Sequence, residues 1–575
     1  MFCPVTLSLS LSLSHTHTHT PFTMSSAAAA ARSLRLRALC APPARLVPLC
    51  SARRKLNVQA STAAGRLKTI DDLPGPSALT TVYWLLLRGY LPKTHLLQGV
   101  HRSQYGPIWR SRVGPYDLVN VASPDLIAQV IQQEGRYPVR CELPHWKEYR
   151  DLRGQAYGLH VDTGENWYRM RSVLNPKMLK SSEVSSYAPI IHQVVDDLLQ
   201  RLELLRSRSV DGATVPDLPS ELYKFGFEGI SSILFETRLG CLKDEIPHST
   251  LRFITAVNDM LSLSQTVPLL PRWSRAILPL WRRFVQAWDD IYDVAQGLVS
   301  RRIAEIEARA QRGEPTEGLY LTHMLSSDKL SRDEVYITIA ELLLGGVDTT
   351  SNTLSWALYH LARDGRVQDR LYAEVKAACP DRRPPTSEDL SRMPYLKAVI
   401  KETLRLYPVV PGNGRFVSEN EVILDNYWFP KKVRGAASRW RSDASTCCCS
   451  VVFLFVFQTL FHLCHYAASH DQAEFEHAER FIPERWDRSQ APSSRRDRPT
   501  PGFYQHHPYS FIPFGVGVRA CVGKRVAEME MYFALSRLMQ HYQVQPEDGA
   551  PIVRPKFRTL LIPEKPINLR FLPRA

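Results

Sequence analysis

Apolar residues recur along most of the chain at spacings of three and four, in long stretches cut by proline-marked turns and without an internal repeat. That periodicity predicts a mainly α-helical protein. One helix marks its own start. Ser331-Arg332-Asp333-Glu334 reads as a capping box, in which the Ser and Glu side chains exchange hydrogen bonds with backbone N–H groups, and an apolar run follows to about Arg363. Pro394 and Pro408 bracket a second helix over 395–406. Strand-type stretches at 108–121 and 415–429 predict a small β region beside the helices. Residues 271–292 set Trp273, Leu278, Leu280, Trp281 and Phe284 among Arg275, Arg282 and Arg283. That mixture fits a helix lying in a lipid–water interface, and equally an internal amphipathic helix.

Two segments break the pattern. Residues 7–20 read LSLSLSLSHTHTHT, the product of CT and CA dinucleotide repeats read in triplets, so 1–23 is expected to be translated untranslated-region sequence. From Met24 the chain is rich in Ala, Ser and Arg and free of acids, as an organelle-import presequence requires; the rival is a disordered basic tail. A secretory signal fits poorly, because serines interrupt the apolar run before Met24 and no basic start precedes it. The presequence is placed at 24–60 and one catalytic domain at 61–575. The second break, 433–458, has a basic start, three consecutive cysteines and an apolar end that match neither flank. Val codons begin with GT and a Gln codon can end in AG, so these 26 codons are read as a retained intron. The functional rival is a metal or acylation site at Cys447, Cys448 and Cys449, but three adjacent cysteines cannot all face one ion without a strained backbone.

Composition narrows the classes. With 575 residues, 44% apolar and 22% charged, the chain is neither disordered nor collagen-like. The net charge is +15, but residues 1–70 hold seven Arg, two Lys and no acids, which leaves +6 on the remainder and argues against a nucleic-acid partner. Eleven cysteines without zinc-type spacing fit a reducing compartment. No run reaches the ~18 to 20 apolar residues of a spanning helix, which favours a soluble or surface-attached protein.

The sharpest chemical signal is Phe514-Gly515-Val516-Gly517-Val518-Arg519-Ala520-Cys521-Val522-Gly523, followed by an amphipathic segment over 524–542. A Cys at a helix start meets the positive end of the helix dipole, which favours the thiolate that binds a soft metal. Gly517 and Gly523 let backbone lie close to a flat cofactor, and Arg519 can pair with a carboxylate on its rim. In Gly345-Gly346-Val347-Asp348-Thr349-Thr350, two glycines and an Asp-Thr pair interrupt an apolar helix. Glycine lowers helix propensity and a Thr hydroxyl can bond back to a carbonyl beside a ligand, although a packing kink would read the same way. Glu402 and Arg405 lie three apart on one helical face, as an ion pair requires. Lys397 and Lys401 lie about a quarter-turn away on the same helix and are expected to face outward, where cations can orient an acidic carrier.

These motifs together resemble the cytochrome P450 family over about 70–575, and most closely its mitochondrial class: the sterol 27-hydroxylase group and its vitamin D and retinoid relatives. The resemblance to that group rests on 340–360 and on Lys401-Glu402-Thr403-Leu404-Arg405-Leu406-Tyr407-Pro408-Val409-Val410-Pro411. It implies a mainly α fold with a small β region, and haem b ligated through the Cys521 thiolate, whose electron donation favours O–O cleavage. It further implies propionate contacts from Arg519, Trp167, Arg171 and Arg415, haem-loop roles for Phe514 and Gly523, and a structural triad of Glu402, Arg405 and Arg485. By the same resemblance Asp348 and Thr349 relay protons so that one oxygen atom of O2 leaves as water; Thr350 has no assigned part. The implied partners are a small iron–sulfur ferredoxin of the adrenodoxin type, contacting Lys397 and Lys401, and the flavoprotein that reduces it with NADPH. The implied reaction is hydroxylation of a sterol or secosteroid side chain by a protein lying peripherally on the matrix side of the mitochondrial inner membrane. Alternatives are a non-productive splice product, a retinoid-acting oxidase, and a haem sensor or carrier in which Asp348 and Thr349 are idle.

Overall fold

Eight helices and a four-stranded sheet position the site in the computed structural model. It describes residues 67–113, 116–141, 143–314, 320–416, 420–430, 433–434, 456–457, 459–487 and 506–574. Segments 1–23 and 24–60, and all but the ends of 433–458, lie outside the described residues. The helices are α1 (Pro144–Arg153), α2 (Gly164–Leu179), α3 (Leu218–Phe235), α4 (His248–Leu263), α5 (Pro279–Gln311), α6 (Arg332–Arg363), α7 (Pro394–Leu406) and α8 (Lys524–His541).

Helix α6 is the axis of the helical core. Its capping box forms as the sequence requires, with the Glu334 N–H donating to Ser331 Oγ at 3.2 Å and the Ser331 N–H to Glu334 Oε2 at 2.8 Å. Beyond the first turn it is buried nearly all round, the mark of a helix with neighbours on every side. A Cβ at Gly346 would stand 2.8 Å from Ile230, and one at Gly226 would stand 3.1 Å from the Val347 carbonyl, so the missing side chains let α3 and α6 cross closely. Trp356 closes the other end, stacked on Tyr407 with centroids 4.0 Å apart; such pairs contribute about 1 kcal/mol beyond their burial. The helix stays continuous through Gly345 and Gly346, because this packing outweighs their poor propensity.

The strands are β1 (Ile108–Val113), β2 (Tyr116–Val121), β3 (Asn413–Phe416), β4 (Val422–Leu424), β5 (Tyr427–Phe429), β6 (Val433–Arg434), β7 (Val456–Phe457), β8 (Leu460–Leu463), β9 (Pro555–Arg558) and β10 (Leu560–Pro563). The sheet runs β1-β2-β8-β3. Strand β8 lies parallel to β2, with Val119 opposite Phe461, and antiparallel to β3, with Arg415 opposite Phe461. It is therefore a central strand, and a second, smaller core packs on it. β9 and β10 form a hairpin, and β6 pairs with β7 in a two-residue antiparallel ladder at the ends of 433–458.

The stretch 271–292 divides in two. Pro279 opens α5, whose Phe284 and Trp288 are fully buried, whereas Trp273 (72% exposed) and Ile277 (74%) before it stand in solvent. The helix is therefore an internal amphipathic one, and the apolar residues before it are exposed. A second exposed apolar strip lies at 78–87, where Leu79 is 83% and Leu87 80% exposed. Among the described residues no helix is long and apolar enough to cross a membrane.

Candidate active site

Cys521 sits two residues before the N-cap of α8. Its loop turns back so that the Cys521 N–H donates to the Phe514 carbonyl at 2.8 Å, and Gly515 (φ +68°) and Gly517 (φ +72°) take left-handed conformations open to glycine. Gly523 has an ordinary φ and open space where a side chain would stand, so its use is room rather than backbone freedom. Burial pushes the Cys521 thiol up, against the Gly523 N–H and the charges of Arg140, Arg171 and Lys524, which favour thiolate.

Four guanidinium groups gather around this loop. Arg171 donates to the Ala520 carbonyl at 2.7 Å, and Arg519 donates to the Pro138 carbonyl at 2.8 Å while lying 3.6 Å over the Trp167 ring. Arg140 donates to the Arg519 carbonyl, and Arg415 pairs with Glu134. Burial and mutual repulsion lower Arg519 to about 9 and Arg140 to about 10. The buried Arg140 Nε has no hydrogen-bond partner. Glu134 is the carboxylate paired within the group, and burial holds it above its usual range. A thiol beneath a surplus of buried cations fits a ligand that carries a metal and two carboxylates, which is the chemistry of haem with its propionates. The sequence reading found Trp167, Arg171, Arg415 and Arg519 and missed Arg140 and Glu134, which belong to no motif spacing.

On α6, Thr349 Oγ1 donates back to the Gly345 carbonyl at 2.8 Å, and a Cβ at Gly345 would meet nothing within 4 Å. The two readings of the glycine pair thus separate, packing at Gly346 and open space at Gly345. Thr350 points elsewhere, toward Glu530 at 3.4 Å, where burial raises the carboxyl to about 8. Asp348 is fully buried, with Arg558 Nη2 donating to its Oδ1 at 2.7 Å and the Tyr223 hydroxyl donating to the same oxygen. Neither Arg558 nor Tyr223 was flagged by any sequence motif.

Beneath this layer, Glu402 is enclosed by Arg405, Arg485, the Trp486 indole and the Ile482 N–H at 2.8 to 3.0 Å. The expected triad forms, 83 residues separating Glu402 from Arg485. Lys397 and Lys401 face outward only in part. Both are half-buried, and the Lys401 ammonium lies 5.7 Å over the Trp486 ring. The exposed Lys524 and Arg525 of α8 act with them on Glu528, so two helices assemble one cationic face.

A mainly helical fold with a small sheet, a cysteine loop before a helix and a Glu-Arg-Arg triad defines a class. The sequence profile of the cytochrome P450 family matches residues 73–440 and 455–571, and the chain belongs to that family. It is a cytochrome P450 monooxygenase, an oxidoreductase for which the family implies haem held by a cysteine thiolate. Mitochondrial sterol 26-hydroxylase of Rattus norvegicus is 41% identical over 513 residues, 88% of this chain and 90% of its own length, and that of Homo sapiens 39% over 515 residues, 88% and 90%. Mitochondrial 25-hydroxyvitamin D-1 alpha hydroxylase of Homo sapiens is 40% identical over 515 residues, 88% and 93%.

Proposed function

We propose that this monooxygenase hydroxylates the side chain of a sterol or secosteroid in mitochondria, drawing electrons from a small iron–sulfur ferredoxin that an NADPH-dependent flavoprotein reduces. The observation that carries the reading is the half-buried Cys521 thiol beside the cluster of Arg140, Arg171, Arg415 and Arg519. Cys521 ligates the haem iron there, the arginines with Trp167 hold the propionates, and haem when bound supplies dioxygen activation. Asp348 and Thr349 hold and pass the two protons that the reaction consumes, RH + O2 + 2e⁻ + 2H⁺ giving ROH + H2O. The burial of both ends of the Glu402–Arg405 pair supports its structural role. The face of Lys397, Lys401, Lys524 and Arg525 steers an acidic ferredoxin. The exposed apolar strips at 78–87 and 273–278, the second flanked by Arg272, Arg282 and Arg283, rest on the matrix side of the inner membrane, where lipid substrates partition. The names of the relatives, sterol and vitamin D hydroxylases of mitochondria, support substrate class and compartment.

A second reading, a non-productive splice product, is carried by 433–458. The family profile leaves 441–454 unmatched, inside the segment that breaks the sequence pattern. The two-residue ladder of β6 and β7 at its base, beside an intact β8, supports an insert that leaves the sheet in register. The test is the reduced, carbon-monoxide-bound spectrum of the full chain and of the chain lacking 433–458, followed by turnover of cholesterol and 25-hydroxyvitamin D3 with ferredoxin, reductase and NADPH. A thiolate-type Soret band with sterol product supports the first reading. A band or product only after deletion supports the second, and no band in either form refutes Cys521 as the ligand.

A further inference from the structure

Asp348 holds an unusual set of contacts for a proton carrier. It is completely buried, and its donors converge on one oxygen: Arg558 Nη2 at 2.7 Å, the Tyr223 hydroxyl, and Asn352 Nδ2 at 3.4 Å all reach Oδ1. Oδ2, equally buried, has no hydrogen-bond partner. A carboxyl group so held is fixed through one oxygen and can keep its proton only on the other. The donors also bind one another, with Arg558 Nη2 3.2 Å and Asn352 Nδ2 3.0 Å from the Tyr223 oxygen, so the bracket is rigid.

The bracket is anchored outside α6. Arg558 ends β9, and the hairpin turn passes through Thr559, which has a positive φ of 61°. Three contacts tie that hairpin to α4 and the residues just after it. Arg558 Nη1 donates to Asn258 Oδ1, Gln265 Nε2 donates to the Phe557 carbonyl at 3.0 Å, and Thr559 Oγ1 donates to the Leu261 carbonyl at 2.8 Å. The chain leaving α4 passes through a 3-10 turn (Val267–Leu269) before it reaches the exposed apolar segment around Trp273 and Ile277. One side chain, Arg558, thus links Asn258 of α4 to Oδ1 of Asp348.

We propose that Arg558 is a positioning residue for proton delivery: it fixes Asp348 through Oδ1, leaves Oδ2 free to hold and release the proton, and makes that geometry depend on the placement of α4. This rests on the reading of Asp348 as a proton carrier. The titratable and charged groups facing Asp348 are Tyr223 from α3 and Arg558 from β9, with the Asn352 amide on α6 itself. Burial favours the neutral acid and Arg558 favours the carboxylate, so the guanidinium keeps the group able to take up and give back a proton. Without the bracket the two electrons and two protons leave with oxygen as hydrogen peroxide, O2 + 2e⁻ + 2H⁺ giving H2O2, and no substrate is oxidised.

The experiment uses the haem-loaded full chain with Arg558→Met, Arg558→Lys, Asn258→Ala and Asp348→Asn. Infrared difference spectra follow the carboxylic-acid C=O band that disappears in Asp348→Asn, and the pH midpoint of that band reports proton affinity without turnover. Arg558→Met is expected to raise the midpoint by about one pH unit or more, a tenfold gain in proton affinity, and Arg558→Lys to restore most of it. With cholesterol, ferredoxin, reductase and NADPH, product per NADPH is expected to fall about tenfold in Arg558→Met, with peroxide rising to match, and less steeply in Asn258→Ala, which loosens Arg558 without touching Asp348. An unmoved midpoint in Arg558→Met overturns the proposal, as does unchanged coupling in Asn258→Ala should the Met variant fail to take up haem. Unchanged product per NADPH in Asp348→Asn instead overturns the underlying reading of Asp348.

Discussion

Replacing Glu402 by glutamine changes no volume and removes one charge, which makes it a sharp test of the triad. Glu402 accepts five hydrogen bonds: Arg405 Nη2, Arg485 Nε and the Ile482 N–H on Oε1, at 2.8, 3.0 and 3.0 Å, and Arg405 Nε and Trp486 Nε1 on Oε2, at 3.0 and 2.9 Å. The best glutamine orientation keeps its oxygen at the Oε1 position and turns its NH2 toward Arg405 Nε and Trp486 Nε1, donor against donor. A lost bond to a charged group costs about 1.5–3 kcal/mol and an unsatisfied buried indole about 1–3 kcal/mol. The sum agrees with the ~3–5 kcal/mol of a buried pair that loses one member. Arg405 keeps the Ser469, Ala478 and Arg480 carbonyls, at 2.9, 2.7 and 3.0 Å, which limits the loss. The expected destabilisation of Glu402→Gln is about 4 kcal/mol, near a thousandfold in the folding equilibrium. The assay is urea unfolding of the haem-loaded protein, followed by Soret absorbance and tryptophan fluorescence. The control is Glu305→Gln, which breaks a pair of the same spacing with Arg302 whose carboxylate is 44% exposed, at a cost under about 1 kcal/mol. Equal losses in the two variants would refute the reasoning.

Three further outcomes are expected. Lys397→Gln with Lys401→Gln should raise the KM for ferredoxin about tenfold at low ionic strength and converge with the parent at ~0.5 M salt; a salt-independent difference would count against a steering role. Deleting 433–458 shortens the link between β5 and β8 from 30 residues to four, a gain of about 2 kcal/mol in closure entropy on urea unfolding, whereas a loss would make the segment part of the fold. His95 is pushed to about 4, and His145 and His465 to about 3, by burial. Each is neutral when folded and protonates near pH 6.5 when unfolded, so the unfolded chain binds more protons between those values and stability falls as pH drops below about 6.5. At pH 5 each costs on the order of 2 kcal/mol, and a urea midpoint unchanged from pH 7 to 5 would exclude the effect.

What the sequence settled by itself is local. The capping box and helix of α6, the proline-bounded α7, the haem-type loop and the back-bonded Thr349 follow from residues within a few positions of one another, where propensity and spacing act directly. The change of pattern at 433–458 is local too, and the family profile leaves 441–454 within it unmatched. Contacts far apart in sequence left no signature unless a motif already paired them, as with Glu402 and Arg485. Arg558 reaches Asp348 across 210 residues, and Arg140 meets Arg519 across 379. Only the packed structure decided that Gly346 serves packing while Gly345 faces open space, that Lys401 lies over Trp486, and that Arg140 and Arg171 stand close enough to offset the desolvation of Cys521. The physical reason is that desolvation and charge pairing depend on which groups share a low-dielectric volume, and that volume exists only once α3, α6, α8 and the hairpin of β9 and β10 have closed around it.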